Sequence, residues 1–424
     1  MTQTWDVVIV GGGLAGYVAA NALAKNDLSI LLVEKGKNVG GRARTSKVKD
    51  QYLNLGPHAF YKKGKAKSIL EEYGIKLNGK SPNLNGVLVE NNMEYTAPLT
   101  PLGLFSTSLL NWKERMEWLL FIMKVNRIDT EKLEGLTFEQ WVKQAAQSEK
   151  VQSLLYALGR LATYCHAPEK VSAKLIVSHL KTVMGGVLYL DGGWQTIIDQ
   201  LHNRAVITGV QVQTRTTVKQ IAPEDHNHMK LVLSKGEEIL AKHVICTTGP
   251  NELTKLLGDY LPQSSFFTQT TPVKGATFDA ALSQLPDPKR LFAMSLSGPF
   301  YFSVHSNYAR LSEDGKSAVL HVFKYHHPDD HIDGKKVQHE LEQFLDQMQP
   351  GWQKHVITSR YIPQIIVNQR LPRIGDEHNL VRSQTDIPGL YIAGDWASPH
   401  SILSEGAISS GKQAAEEIIQ KEKR

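Results

Sequence analysis

Three glycines at a fixed spacing carry the clearest chemistry in the chain. Gly11-x-Gly13-x-x-Gly16 follows the apolar run Val8 to Val10 and opens an Ala-rich stretch. The first glycine permits a tight turn, the second lets backbone approach a pyrophosphate, and the third lets a helix pack closely on a strand. Backbone N–H groups around Leu14 and Ala15 then offer a phosphate the positive end of a helix. Glu34 closes the next apolar run with Lys35 beside it. That is about 20 residues on, the place of an acid that binds ribose hydroxyls. Strand, turn, helix, strand and acid fall in order, so the pattern predicts a dinucleotide site.

Four further motifs separate FAD from NAD. Val39-Gly40-Gly41-Arg42-Ala43-Arg44-Thr45 offers two glycines for close backbone approach and an arginine that can neutralise a pyrophosphate. Leu55-Gly56-Pro57-His58 follows it. Near the end come Gly389-Leu-Tyr-Ile-Ala-Gly394-Asp395-Trp396 and then Ser404-Glu405-Gly406-Ala407-Ile408-Ser-Ser-Gly411. Together these resemble the flavin-contact motifs of the flavin amine oxidase and phytoene desaturase superfamily, with Asn38 where the family usually has arginine. The resemblance implies non-covalent FAD. Gly56, Pro57 and His58 would run along the isoalloxazine ring, although a loop histidine held by hydrogen bonds is the commoner use of such a residue. Asp395 would bind a ribityl hydroxyl, with the backbone of Gly394 passing the phosphate side. The backbone from Glu405 to Ile408 would open a helix pointing at the flavin N1 and C2 carbonyl, where a helix N-terminus stabilises negative charge. Val218 would place its backbone against the adenine.

The elements that must position these groups follow from pattern. Asp6 to Val10 and Leu28 to Glu34 are strand-like, and Tyr17 to Lys25 is helical, giving one βαβ unit. Residues 65–185 read mainly as helix, with a capping box at Thr137 to Gln140. Within them Leu109, Trp112, Met116, Leu119 and Met123 recur at helical spacing. A helix this broadly apolar is expected to be buried, with a substrate tunnel or a membrane contact as the alternatives. Short strands are expected from Ala205 to Pro250, a strand at Phe300 to His305, another at Gly389 to Gly394, and a last helix from Glu405 to Gln420. The fold class is therefore α/β, a Rossmann-like FAD-binding domain with an inserted α+β substrate domain. Residues 1–75, 190–270 and 375–424 are assigned to the first, and 76–189 and 271–374 to the second.

Composition removes several function classes. The chain has 424 residues, 41% hydrophobic and 21% charged, which is ordinary for a globular protein. No apolar run approaches the ~20 residues that span a bilayer, and no signal-peptide pattern opens the chain. Cys165 and Cys246 lack metal-ligand spacing and are read as reduced, buried thiols of a cytoplasmic protein, so no metal is expected. The net charge of +6 is spread over scattered lysines, which argues against nucleic acid and leaves peripheral membrane contact open.

The chemistry expected of the resemblance is oxidation of a substrate C–H bond with hydride transfer to flavin N5. The partner is a small molecule, and catalytic residues are not assigned. Monoamine oxidases attach flavin through a late cysteine, and no cysteine follows Cys246. They also place a tyrosine where this chain has Leu403, which suits an apolar, isoprenoid-like substrate better than an amine. Alternatives are an amine oxidase releasing peroxide, a protoporphyrinogen-type oxidase, and a flavin-binding protein without turnover. Lys274 as a lysine near N5, and Tyr301, Phe302 and Trp396 as ring-facing aromatics, compete with surface or core roles.

Overall fold

In the computed structural model, which describes residues 3–261 and 265–423, the apolar runs gather into a seven-stranded sheet. Residues 1–2, 262–264 and 424, which fall in the expected FAD-binding segments, lie outside the described residues. Strand Gln3–Val10 pairs in parallel with Ile30–Val33 on one side and with Glu238–Cys246 on the other. Gln211–Gln213 extends the first side. Antiparallel strands Met229–Leu233 and Val218–Pro223 extend the second, and Leu390–Ile392 pairs in parallel with Glu238–Cys246. The central strands are apolar on both faces because both are covered. Helices Leu14–Leu23, Gln195–Ile207 and Leu403–Glu422 pack on one face, and helix Pro250–Leu257 on the other.

A second seven-stranded sheet runs in the order Val356–Asn368, Val273–Leu282, Ala318–Tyr325, Phe300–Val304, Phe292–Ser295, Val87–Glu90, Met93–Thr96. Helix Gly334–Met348 covers one face of it. Helices between Pro101 and Met184 form a separate apolar cluster beside it. The fold class is α/β, as the motifs implied.

Several local expectations change. The first helix begins at Leu14, inside the glycine motif, and ends at Leu23. Ala205 to Ile207 belong to the helix from Gln195, so strands start only at Gln211. The stretch read as helical contains the hairpin Val87–Glu90 and Met93–Thr96. Asn91 and Asn92 turn it with φ of 50° and 63°, left-handed values that asparagine tolerates and two-residue hairpins require. Helix Trp112–Lys124 is not buried: only Trp118 is enclosed, and Trp112, Met116, Leu120 and Met123 face outward. Its apolar residues encircle the helix, but a helix packed on one side can bury only one stripe. The capping box at Thr137 is present, with Gln140 N–H donating to Thr137 Oγ1 and Thr137 N–H to Gln140 Oε1. Among the described residues no helix is long and apolar enough to cross a membrane.

Candidate functional site

The glycine motifs from opposite ends of the chain meet at the carboxyl edge of the first sheet. Gly11 turns the chain with φ of 115°, and a Cβ there would sit 2.5 Å from Thr247 Oγ1. A Cβ on Gly16 would fall 2.1 Å from the Gly11 carbonyl oxygen, so the third glycine is what lets the helix lie against the strand. Gly13 is different: a Cβ there would meet nothing within 4 Å. Space is open in front of its backbone. Gly41 stands across from it, its own Cβ position 3.4 Å from Gly13 Cα, and Gly40 N–H donates to Gly12 O at 2.7 Å.

Helix Leu14–Leu23 begins at this opening with no side chain capping its N-terminus, and helix Leu403–Glu422 takes one side-chain acceptor, Asn368 Oδ1, at its first N–H. Helices Trp112–Lys124 and Phe138–Ala145, by contrast, carry complete capping boxes. Unsatisfied N–H groups at a helix start form an anion site. A Cβ on Gly411 would lie 2.4 Å from Ala15 O, so that glycine lets the final helix pack against the first. Gly406 N–H bonds Ile402 O, and its Cβ position is 2.7 Å from Asp395 O. Ala407 is half-buried and Ile408 buried in the same first turns.

Glu34 is held ready at the far end of the opening. Its Oε2 accepts from Gly12 N–H at 2.8 Å and its Oε1 from Gly36 N–H at 2.6 Å. Lys35 beside it is exposed. The loop leading to Val218 lies against this acid: Thr216 N–H donates to Glu34 O and Arg215 N–H to Gly36 O. The Val218 side chain itself is buried in the sheet's apolar cluster.

Arg42 and Asp395 face each other. The guanidinium donates to both carboxylate oxygens, at 2.6 and 2.7 Å, and to Val367 O at 3.0 Å. Gln369 N–H also donates to Asp395 Oδ2. Gly394, with φ of 144°, has its N–H bonded to Ser410 Oγ, which ties the last strand to the last helix.

His58 sits between two motifs. Its Nδ1 lies 3.0 Å from Gly56 O and its Nε2 3.2 Å from Arg42 O, and its ring packs edge-on against Trp194. Burial lowers its pKa, so the ring is neutral and donates to one carbonyl at a time. The imidazole thus positions the loop that holds Gly56 and Pro57. The Glu405 side chain turns away to the start of helix Lys65–Glu72, where Oε2 accepts from Ala66 N–H at 3.0 Å. Gly64 leaves it room, since a Cβ there would overlap the carboxylate. Burial raises the pKa of Glu405.

Beyond Pro57 lies an aromatic cluster of Tyr301, Phe323 and Tyr325, flanked by Tyr164, Ile365 and Val367. Tyr164 OH donates to Pro57 O at 2.9 Å. Tyr164 was not singled out from sequence. It ends helix Glu149–Thr163 in a left-handed conformation, φ 61°, a signal that appears only in the backbone. Tyr301 joins this cluster, whereas Phe302 is enclosed against helix Gly334–Met348 and Trp396 packs in the first sheet's core, its indole N–H donating to Thr248 O. Lys274 is half-buried at the start of strand Val273–Leu282, with no ion pair among the described residues. Leu403 N–H donates to Asn368 Oδ1.

These features fit FAD. The opening at Gly13 and Gly41, the helix starts at Leu14 and Leu403 and the ordered Glu34 are what a dinucleotide with a flavin at one end requires. Both cysteines are buried and unpaired.

Comparison with known proteins agrees. The profile of the family described as flavin containing amine oxidoreductase matches residues 14–419. A 15-cis-phytoene desaturase of Arabidopsis thaliana is 24% identical, the match covering 98% of this chain and 80% of that protein. Among solved structures, a redesigned putrescine oxidase superposes with a TM-score of 0.78 at 17% identity, covering 99% of this chain and 100% of the other. An oxidoreductase from Methanosarcina mazei gives 0.74 at 18% identity, covering 98% and 99%. The chain belongs to the flavin-containing amine oxidoreductase family and is an FAD-dependent oxidoreductase.

Proposed function

We propose that this enzyme is a dehydrogenase or desaturase of an apolar, isoprenoid-like substrate. The observation that carries the reading is the aromatic cluster at Pro57. Tyr164, Tyr301, Phe323 and Tyr325 build an apolar wall next to two flavin motifs, and burial raises the pKa of each tyrosine in it, so all are neutral. Among the described residues the cluster has no carboxylate to pair with an ammonium, and Leu403 stands where the monoamine oxidases place a tyrosine. Bound FAD supplies a two-electron acceptor whose N5 receives hydride from a substrate C–H. The chain holds the cofactor and excludes water. Backbone at Gly11, Gly13, Leu14, Ala15, Gly16, Gly40 and Gly41 would hold the pyrophosphate, with Arg42 available to it. Glu34, Lys35 and Val218 lie at the adenosine end. Gly56, Pro57, His58, Gly394, Asp395 and the backbone of Glu405, Gly406, Ala407 and Ile408 lie at the flavin end. Residues 1–75, 190–270 and 375–424 serve as the FAD-binding domain, and 76–189 with 271–374 as the substrate domain.

The substrate reaches the enzyme from a membrane surface. Trp112, Met116, Leu120 and Met123 stand between 38% and 66% exposed on one face of their helix, and Leu102 and Phe105 add to them from the helix before. Lys113, Lys124 and Arg127 are exposed beside this stripe without ion pairs among the described residues. Apolar residues beside free cations match an anionic lipid surface. The unpaired thiols fit the reducing cytoplasmic side.

Anaerobic mixing of the FAD-loaded enzyme with prenyl hydrocarbons in vesicles tests the assignment. Bleaching of flavin absorbance is expected with these and not with primary amines. Bleaching by amines alone, with peroxide released in air, would replace it by an amine oxidase.

A further inference from the structure

A cavity on the far side of the aromatic cluster contains a buried cation with no partner charge. Its volume is about 170 Å³, and it is lined by Phe138, Ser153, Arg160, His166, Leu296 and Ser297, among others. Arg160 is 7% exposed. Its Nη2 donates to the carbonyls of Ser295 and Leu296, at 3.2 and 2.7 Å. Among the described residues its Nε and Nη1 have no hydrogen-bond partner, and no carboxylate forms an ion pair with it. The nearest acid in charge terms, Glu90, is committed to Ser297, accepting from both its N–H and its hydroxyl.

A guanidinium does not give up its proton in a protein, so this charge is permanent. Burying that charge without a counter-charge is costly. Fixing two carbonyls explains one nitrogen and leaves the rest of the fork. His166 is the second group of this kind. Its Nδ1 is buried without a partner, and burial together with Arg160 lowers its pKa to about 4, so it is neutral and has an N–H to give. An unpartnered guanidinium nitrogen, Nη1, and a neutral imidazole against Phe138 and Leu296 describe a place for a negative group with carbon behind it.

We propose that this cavity is a binding site for a small organic carboxylate with a short apolar tail. The carboxylate accepts from Arg160 Nη1, with His166 as a further donor, and the tail lies on Phe138 and Leu296. Cavities of roughly 150 Å³ hold a benzene-sized group, which sets the scale of the tail. Inorganic phosphate would leave the apolar walls unused. The site is one helical turn from Tyr164, so an occupant lies behind the wall that faces Pro57. The inference does not depend on which bond the flavin oxidises.

Calorimetric titration of the FAD-loaded protein with sodium benzoate, benzyl alcohol and inorganic phosphate at constant ionic strength tests it. Benzoate is expected to bind with one-to-one stoichiometry, at least tenfold tighter than benzyl alcohol or phosphate. Arg160→Gln should weaken benzoate at least tenfold and leave benzyl alcohol unchanged. Ser153→Phe keeps Arg160 and its carbonyl bonds but fills the cavity, and should abolish benzoate binding; it carries the test if Arg160→Gln does not fold. Equal benzoate affinity in wild type and in whichever variants fold would overturn the proposal. Phosphate binding as tightly as benzoate would overturn the organic-acid assignment.

Discussion

Two buried aspartates, Asp395 and Asp279, are each gripped by an arginine, and they do different work. Asp395 takes two donors from Arg42 and one from Gln369 N–H. Asp279 takes Arg360 Nε and Nη2 on one oxygen, and His321 Nδ1 with Thr277 Oγ1 on the other. The difference is in what surrounds them. Arg42 is 38% exposed and stands among glycines that leave space open. Asp279 and His321 have no exposure, and the His305 ring closes over His321, itself stacked on Tyr189. One pair borders open space. The other is a closed knot, which also holds the Gly56 loop in place because Arg360 donates to Asn54 O, just before Gly56.

The largest effect expected is therefore on stability, at Asp279. Asp279→Ala leaves a buried imidazole without its hydrogen-bond partner and a mostly buried guanidinium without its counter-charge, which costs about 3–5 kcal/mol. Arg360 keeps its bond to Asn54 O, so FAD bound per folded molecule should stay near wild type. Chemical denaturation followed by circular dichroism, with flavin counted by absorbance, reads both. Burial opposes the charge on Asp279, but His321 and Arg360 outweigh it and hold the carboxyl below its ordinary pKa. Its contribution is full above the ordinary carboxylate pKa near 4 and is lost as the pH falls through its lower folded value. Asp279→Asn should therefore flatten the acid limb of stability below pH 4. An unchanged limb would place the acid-sensitive group elsewhere.

Next come the glycines, where packing and ligand space separate cleanly. Gly16→Ala forces a methyl against the Gly11 carbonyl oxygen and should cost at least about 1–3 kcal/mol. Gly13→Ala meets no atom of the protein, and Gly13 has φ of −87°, which alanine adopts freely. The apoprotein should melt as wild type does while FAD affinity drops at least tenfold. A Gly13→Ala protein that binds FAD normally would mean that the opening is not where the pyrophosphate passes.

This contrast also explains what the sequence disclosed. Around Gly13 the site is made of backbone, and only glycine allows such approach, so residue type and spacing carry the information. Asp279, His321 and Arg360 carry no such mark: they lie on three strands, and only their pairing in the sheet brings them together. Tyr164 and Tyr325 are hidden in the same way, and Tyr301 stands out no more than Phe302 and Trp396, because an aromatic residue reads alike in a core and in a cavity wall. Helix Trp112–Lys124 misled because its pattern records that apolar residues are present on every side and cannot say which side is left without a neighbour.

Asp395→Ala comes below these in stability and should differ from Asp279→Ala in kind. Arg42 is left with water on one side and the Val367 carbonyl on the other, so the loss should be about 1 kcal/mol. FAD affinity should fall at least tenfold by fluorescence titration. If Asp279→Ala lost flavin while Asp395→Ala kept it, the roles given to the two knots would be reversed.

The smallest stability change belongs to the exposed stripe, which has neither open cradle nor closed knot. Trp112→Glu and Leu120→Glu remove apolar surface that touches little of the protein, so each should change stability by no more than about 0.5 kcal/mol. Their effect should show on lipid instead. Wild type is expected to sediment with vesicles containing phosphatidylserine, and the double variant to stay in the supernatant. Neutral phosphatidylcholine vesicles should retain less wild type, because Lys113, Lys124 and Arg127 then lose their partners. A loss of more than 1 kcal/mol from Trp112→Glu in the absence of lipid would make this face part of a protein interface, and the membrane assignment would fall with it.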